Sequence, residues 1–160
     1  SFNNDGYISP VLYNKFLKIL LLKVQASKNL YLQLKHKYFD FEKYINKENS
    51  LLIQKLKKNK KFRSFKKNGV NSKIIAKSNL IVSIGTLTIS AEALFQNIDS
   101  IALCNSAIDK RFLKQANNIY PFAFNNLSQF QKNLDNKLNF KNNDLKIKKL
   151  RNYHLLRIPI

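Results

Sequence analysis

Residues 78–128 read SNLIVSIGTLTISAEALFQNIDSIALCNSAIDKRFLKQANNIYPFAFNNLS. Two short β-branched, apolar runs, Leu80–Ile84 and 101–104, bracket a segment of helical character, and Tyr120-Pro121 and Asn125-Asn126 follow them. A strand–helix–strand unit of this kind seeds a parallel α/β sheet. The spacing predicts a strand over 78–84 and a turn at Gly85-Thr86. A helix capped by Thr86 or Thr88 then ends near Asn97, and a second strand covers 100–104. A helical turn is expected over 110–115. Ser128 is placed to cap a helix reaching Leu138, with Phe130, Leu134 and Leu138 on one face.

Upstream, Gly6 and Pro10 punctuate a polar lead. Tyr13, Leu17, Leu20, Leu21, Val24, Tyr31 and Leu34 then recur at helical spacing, which predicts one long amphipathic helix over 11–38. Phe41, Ile45, Leu52 and Leu56 predict a second over 41–56. Next comes a basic connector: residues 55–77 hold ten Lys and Arg and no acid. The reading divides the chain into a helical and basic connector segment (1–77), an α/β core (78–140) and a basic C-terminal tail (141–160). The expected class is α/β: a parallel sheet flanked by helices, a Rossmann-like three-layer core, with a long N-terminal helical segment and basic extensions.

Charge sets the expected partner. Twenty-nine Lys and Arg stand against nine Asp and Glu, a formal net charge of +20. Such an excess attracts polyanions, foremost a phosphate backbone. A lone charge run is usually a solvated surface. Here Phe62 and Phe65 interleave with it and the tail repeats it, which favours binding. The expected phosphate contacts are Lys55, Lys57, Lys58, Lys60, Lys61, Arg63, Lys66, Lys67 and Lys73 in the connector. Lys141, Lys146, Lys148, Lys149 and Arg151 join them in the tail, and the whole basic span 137–157 is expected to contribute. Lys outnumbers Arg, so shape and backbone recognition is expected rather than bidentate base reading.

Other functions find little support in the residues. His36 and His154 are far apart in sequence and form no metal motif, so no metal is expected. Cys104 is single, so it forms no internal disulfide, and at the end of a buried strand it reads as a small hydrophobe. Glu92 on the crossover helix reads as a structural residue. With Gly6, Gly69 and Gly85 as its three glycines the chain builds no phosphate-cradling loop. No catalytic residue, cofactor or small-molecule substrate is therefore expected. The apolar run 16–24, broken by Lys18 and Lys23, is too short to span a bilayer, so no membrane partner is expected. The start lacks the basic n-region of a secretory signal. Lys, Asn, Ile, Phe and Tyr abound, as AT-rich codons dictate, which points to an organellar or AT-rich genome. Ser1 in place of Met points to processing or to sequence preceding it.

The α/β segment resembles the small-subunit ribosomal protein S-two family. Asn79-Leu80-Ile81-Val82 matches that family's first strand, and Glu92-Ala93 matches its helix. Ile98–Ser106 aligns without gaps to its "IPVIALVDT", and the eukaryotic form "IALCNTD" is similar to Ile101–Ser106. Tyr120-Pro121-Phe122-Ala123-Phe124-Asn125-Asn126-Leu127-Ser128 resembles its "YPIPGNDDS". Departures lie at the first strand's end, where Ile84-Gly85-Thr86 replaces an Asp, at Asn97-Ile98-Asp99 in place of Gly-Ile-Pro, and at Ala123-Phe124. The resemblance covers about a third of the chain. It implies a non-catalytic constituent of a small ribosomal subunit, mitochondrial in type, contacting ribosomal RNA and neighbouring ribosomal proteins. A rival resemblance links 78–95 to the C-terminal nucleotide-binding half of a two-domain glycosyltransferase, with Gly85 and Glu92 on the sugar nucleotide. There the Gly-to-Glu spacing is one residue too long, and the high positive charge has no purpose. A generic basic RNA-binding or membrane-surface module is the third reading.

Overall fold

In the computed structural model the protein is a mixed α/β fold with parallel sheets flanked by helices. The structure describes residues 8–35, 43–65, 71–85, 88–104, 110–118 and 121–139. The chain divides between Gly69 and Val70 into two compact units.

In the first unit, α1 (Pro10–Ala26) starts at Ser9, whose hydroxyl accepts from Leu12 N, with Pro10 preset for the first helical turn. It buries Phe16, Leu17, Leu20, Leu21 and Val24 as one stripe. The predicted helix over 11–38 is corrected here: α1 stops at Ala26, and β1 (Leu32–Lys35) follows. Leu30, Leu32 and Leu34 alternate with Tyr31, Gln33 and Lys35, a period of two, and the three leucines pack on the core. A helical count samples Tyr31 and Leu34 but not this alternation.

The second helix, α2 (Lys47–Lys58), is capped by Asn46, which accepts from Asn49 N at 2.9 Å. The predicted start at 41–42 lies outside the described residues, and the expectation is corrected over 43–46, which precede the helix because the Asn46 cap sets its start at Lys47. Asn49, Ile53 and Leu56 face inward. Asn14 ties the two helices together: its Nδ2 donates to Tyr44 O, and its Oδ1 accepts from Asn46 N and Asn49 Nδ2. The helix closes with Lys61 N–H donating to Leu56 O (2.8 Å) and Lys60 N–H donating to Lys57 O (3.0 Å). This end motif needs a left-handed residue, and Lys60 supplies it at φ 56°. A side chain there costs about 1 kcal/mol relative to glycine. Lys60→Gly is therefore expected to raise stability by about that amount, read as a higher urea midpoint; a lower midpoint would contradict the strain.

Over residues 55–65 the stretch read as a basic connector is structured. It completes α2, turns at 59–61 and forms β2 (Phe62–Phe65), parallel to β1 with Leu32 opposite Phe62 and Gln33 opposite Arg63. One face of this pair, with Leu32, Leu34 and Phe62, joins Leu17, Leu21, Val24, Ile53 and Leu56 in a core.

The second unit begins with α3 (Asn71–Ala76) and continues through β3 (Leu80–Ile84), α4 (Thr88–Phe95), β4 (Asp99–Leu103), α5 (Lys110–Ala116), β5 (Ala123–Phe124) and α6 (Leu127–Asn139). Its three strands are parallel in the order β3-β4-β5. Ser100, Ile101, Ala102 and Leu103 are all buried. Successive strand residues point to opposite faces, so both faces of β4 are covered. Helix α4 packs on β3 and β4, and α6 packs on β4 and β5, giving the helix–sheet–helix layering expected.

Local devices hold these elements in place. Gly85 leaves β3 at φ 86°, a value that disfavours any side chain, and its N–H donates to Leu103 O. Asn97, at φ 60°, closes α4 while Ile98 N–H donates to Ala93 O and Ile98 packs beside Ile75, Ile81 and Ala93. Ser83 and Ser90 join β3 to α4 by a buried 2.7 Å hydroxyl pair. Asn117 guards the edge strand: its side chain accepts from Phe122 N and Ala123 N and donates to Ala123 O. The expected cap Ser128 is corrected to Asn126, whose Oδ1 accepts from Ser128 N and Gln129 N. Thr88 is the first residue of α4, and Thr86 lies outside the described residues.

Candidate nucleic-acid interface

The acid-free run acquires a shape in the first unit. Helix α1 ends at Ser27 and the chain turns through Lys28 and Asn29 into β1; α2 ends and turns at 59–61 into β2. Because β1 and β2 are parallel, these two turns lie side by side at the amino ends of the strands. Between them opens a groove of about 650 Å³ lined by Lys28, Tyr31, Lys57, Lys60, Lys61 and Arg63, with Phe62 in its wall. No acid lines it.

The cations fall into distinct roles. Lys55, Lys57, Lys58, Lys60 and Arg63 are exposed. Lys55, Lys57 and Lys58 occupy the last turn of α2, where the negative end of the helix dipole offsets part of their mutual repulsion. Lys57 Nζ lies 5.9 Å from the Phe62 ring centroid, within cation–π range. Lys61 differs from its neighbours. Half-buried, it donates from Nζ to Val24 O and Ser27 O and so closes the carbonyl end of α1. Its charge is engaged in a capping contact within the fold while the residue also lines the groove.

Of the remaining expected residues, Lys73 is exposed on α3 in the other unit, and the groove does not include it. Lys66, Lys67, Lys141, Lys146, Lys148, Lys149 and Arg151 lie outside the described residues. Lys137, at the start of the expected tail segment, is turned inward. Its Nζ meets Asp99 Oδ1 at 2.8 Å, with the two side chains 8% and 14% exposed. It is therefore a packing residue rather than a phosphate contact.

Two groove residues are not among those expected from the sequence. Lys28 sits in the turn that follows α1, and helical spacing places Tyr31 on a buried face. Tyr31 is instead 55% exposed, and its hydroxyl accepts from Gln33 Nε2. The alternation of Leu30, Leu32 and Leu34 was the available signal: it places Tyr31 on the opposite side of the strand.

Other chemistries find these surroundings. Cys104 is 1% exposed, and burial pushes its thiol up to about 11, which keeps it protonated at neutral pH. Glu92 is half-buried on α4. His36 and His154 lie outside the described residues. Among the described residues, no three His, Cys, Asp or Glu side chains gather as a metal site. Among them, too, no helix is long and apolar enough to cross a membrane.

Fold and groove together define a basic α/β protein with an acid-free cationic cleft. No protein-family model, curated protein or solved structure matches the chain.

Proposed function

We propose that this protein is a structural, non-catalytic constituent of a small ribosomal subunit, mitochondrial in type, which binds ribosomal RNA and neighbouring ribosomal proteins. The observation that carries the reading is the acid-free groove of Lys28, Lys57, Lys60 and Arg63 in a chain of net charge +20. Five exposed cations, three in the last turn of α2, one in the turn after it and one on β2, create a concentrated positive field. A phosphodiester chain neutralises that field and releases its own counterions. The parallel β3-β4-β5 sheet also suits the resemblance of residues 79–128 to the S-two family, whose motifs fall on β3, α4, β4 and the approach to α6.

Sedimentation of a mitochondrial lysate tests the proposal. The chain is expected to travel with small subunits through a density gradient at low salt and to be stripped from them as salt rises. A pool confined to the top of the gradient, with none on subunits, overturns it.

A further inference from the structure

We infer that the groove between the α1–β1 and α2–β2 turns seats an unpaired nucleotide of an RNA strand, with its base stacked on Tyr31 and its phosphates on Lys57, Lys60 and Arg63. This inference rests on the RNA-binding reading and deepens it.

Concavity is the first argument. A duplex presents a convex backbone rail with its base faces hidden, and a smooth basic surface suffices to hold it. A groove of about 650 Å³ is of the size that encloses small ligands, so it accepts a base that has left its stack. The second argument is Tyr31. A large aromatic ring 55% exposed at the rim of a cationic cleft leaves hydrophobic surface in water, and a base face covers it. The hydrogen bond from Gln33 Nε2 to the Tyr31 hydroxyl restricts the ring before any ligand arrives. Register supplies the third. Gln33 pairs with Arg63 across the parallel strands, which sets Arg63 on the neighbouring strand two residues along from Tyr31. Arg63 also lines the cleft, as do Lys57 and Lys60 from the end of α2 and its turn. Aromatic platform and phosphate ligands therefore converge from two segments far apart in sequence. Phe62, 4% exposed, belongs to the wall and not to the platform.

Binding of the full chain to a short labelled oligouridylate, and to a blunt RNA duplex of equal length, tests the seat by fluorescence anisotropy. Tyr31→Ala is expected to weaken single-strand binding about tenfold, the usual consequence of losing one stacked base. Its slope against salt is expected to stay unchanged, because no cation is removed. Tyr31→Phe keeps the ring and gives up only the hydrogen bond from Gln33, so it is expected to retain most of the affinity, which separates stacking from folding effects. Duplex binding is expected to be indifferent to both variants. If Tyr31→Ala leaves single-strand affinity unchanged, the nucleotide seat is overturned while the RNA-binding reading stands. If the unaltered chain binds neither RNA in a salt-sensitive way, both fall. Both fall equally if phosphatidylserine vesicles, and no RNA, hold the chain through Tyr31.

Discussion

Asp99→Ala is expected to cost the second unit about 3 kcal/mol, the largest effect expected of a single exchange at a charged residue among the described residues. The carboxylate opens β4, the central strand, and Lys137 reaches it from the last turn of α6. Both side chains are largely withdrawn from water, at 14% and 8% exposure. Removing the acid leaves a buried ammonium without this partner and takes away the acceptor of Ser100 N, 2.7 Å away. Breaking a buried pair from one side costs more than the pair itself contributes, because the remaining charge keeps its desolvation penalty while losing its carboxylate. The double variant D99N/K137M removes both charges while keeping the acceptor for Ser100 N, so most of the loss is expected to return. Urea unfolding followed by circular dichroism measures both. Glu48→Ala is the control: the Lys18–Glu48 pair also measures a short 2.6 Å, but its side chains are 42% and 58% exposed. An exposed pair contributes less than about 1 kcal/mol. Equal losses at Asp99 and Glu48 would refute the distinction.

The second large effect is on binding. Exchanging Lys55, Lys57, Lys58, Lys60 and Arg63 together for glutamine is expected to weaken RNA binding about a thousandfold at near-physiological salt. The log–log dependence on salt should flatten by about 3 to 4, at roughly 0.7 per contact on a single strand. All five are exposed, so the exchange leaves the core of α1, α2 and the β1–β2 pair untouched. Their loss also relieves mutual repulsion at the end of α2 while giving up its favourable dipole contacts, two changes of opposite sign. Lys61 is left in place deliberately, since it holds Val24 O and Ser27 O. Lys61→Gln is expected to lower stability with little change in salt slope. Titrations at several salt concentrations read both quantities, and an unchanged slope in the five-fold variant would remove the groove from the binding surface.

These two predictions rest on residues that looked alike in the sequence. Lys61 sits in the same basic run as Lys60, and Lys137 heads the same kind of tail as Lys141. Charge and spacing are local properties, and they mark all of these as candidates for phosphate. Whether a lysine faces water, a carbonyl or a carboxylate depends on what the chain brings back to it. Val24 and Asp99 lie too far away in sequence for any periodicity to register them.

Part of this architecture is encoded in local pattern. The β-branched runs at Leu80–Ile84 and 101–104, the helix between them, the amphipathic stripe of α6 and the burial of Cys104 all follow from side chains a few residues apart. The excess of positive charge, and its concentration around α2 and β2, was equally plain. What folding adds at β1 is its partner, because a strand is stabilised by its neighbour and β2 lies beyond an intervening helix. That pairing moved Tyr31 from a supposed core to the rim of a cleft and placed Lys28 across from Lys57 and Lys60. Net attraction to a polyanion is a sum over residues and can be counted along a chain; a seat for one nucleotide is a convergence, and convergence exists only after folding.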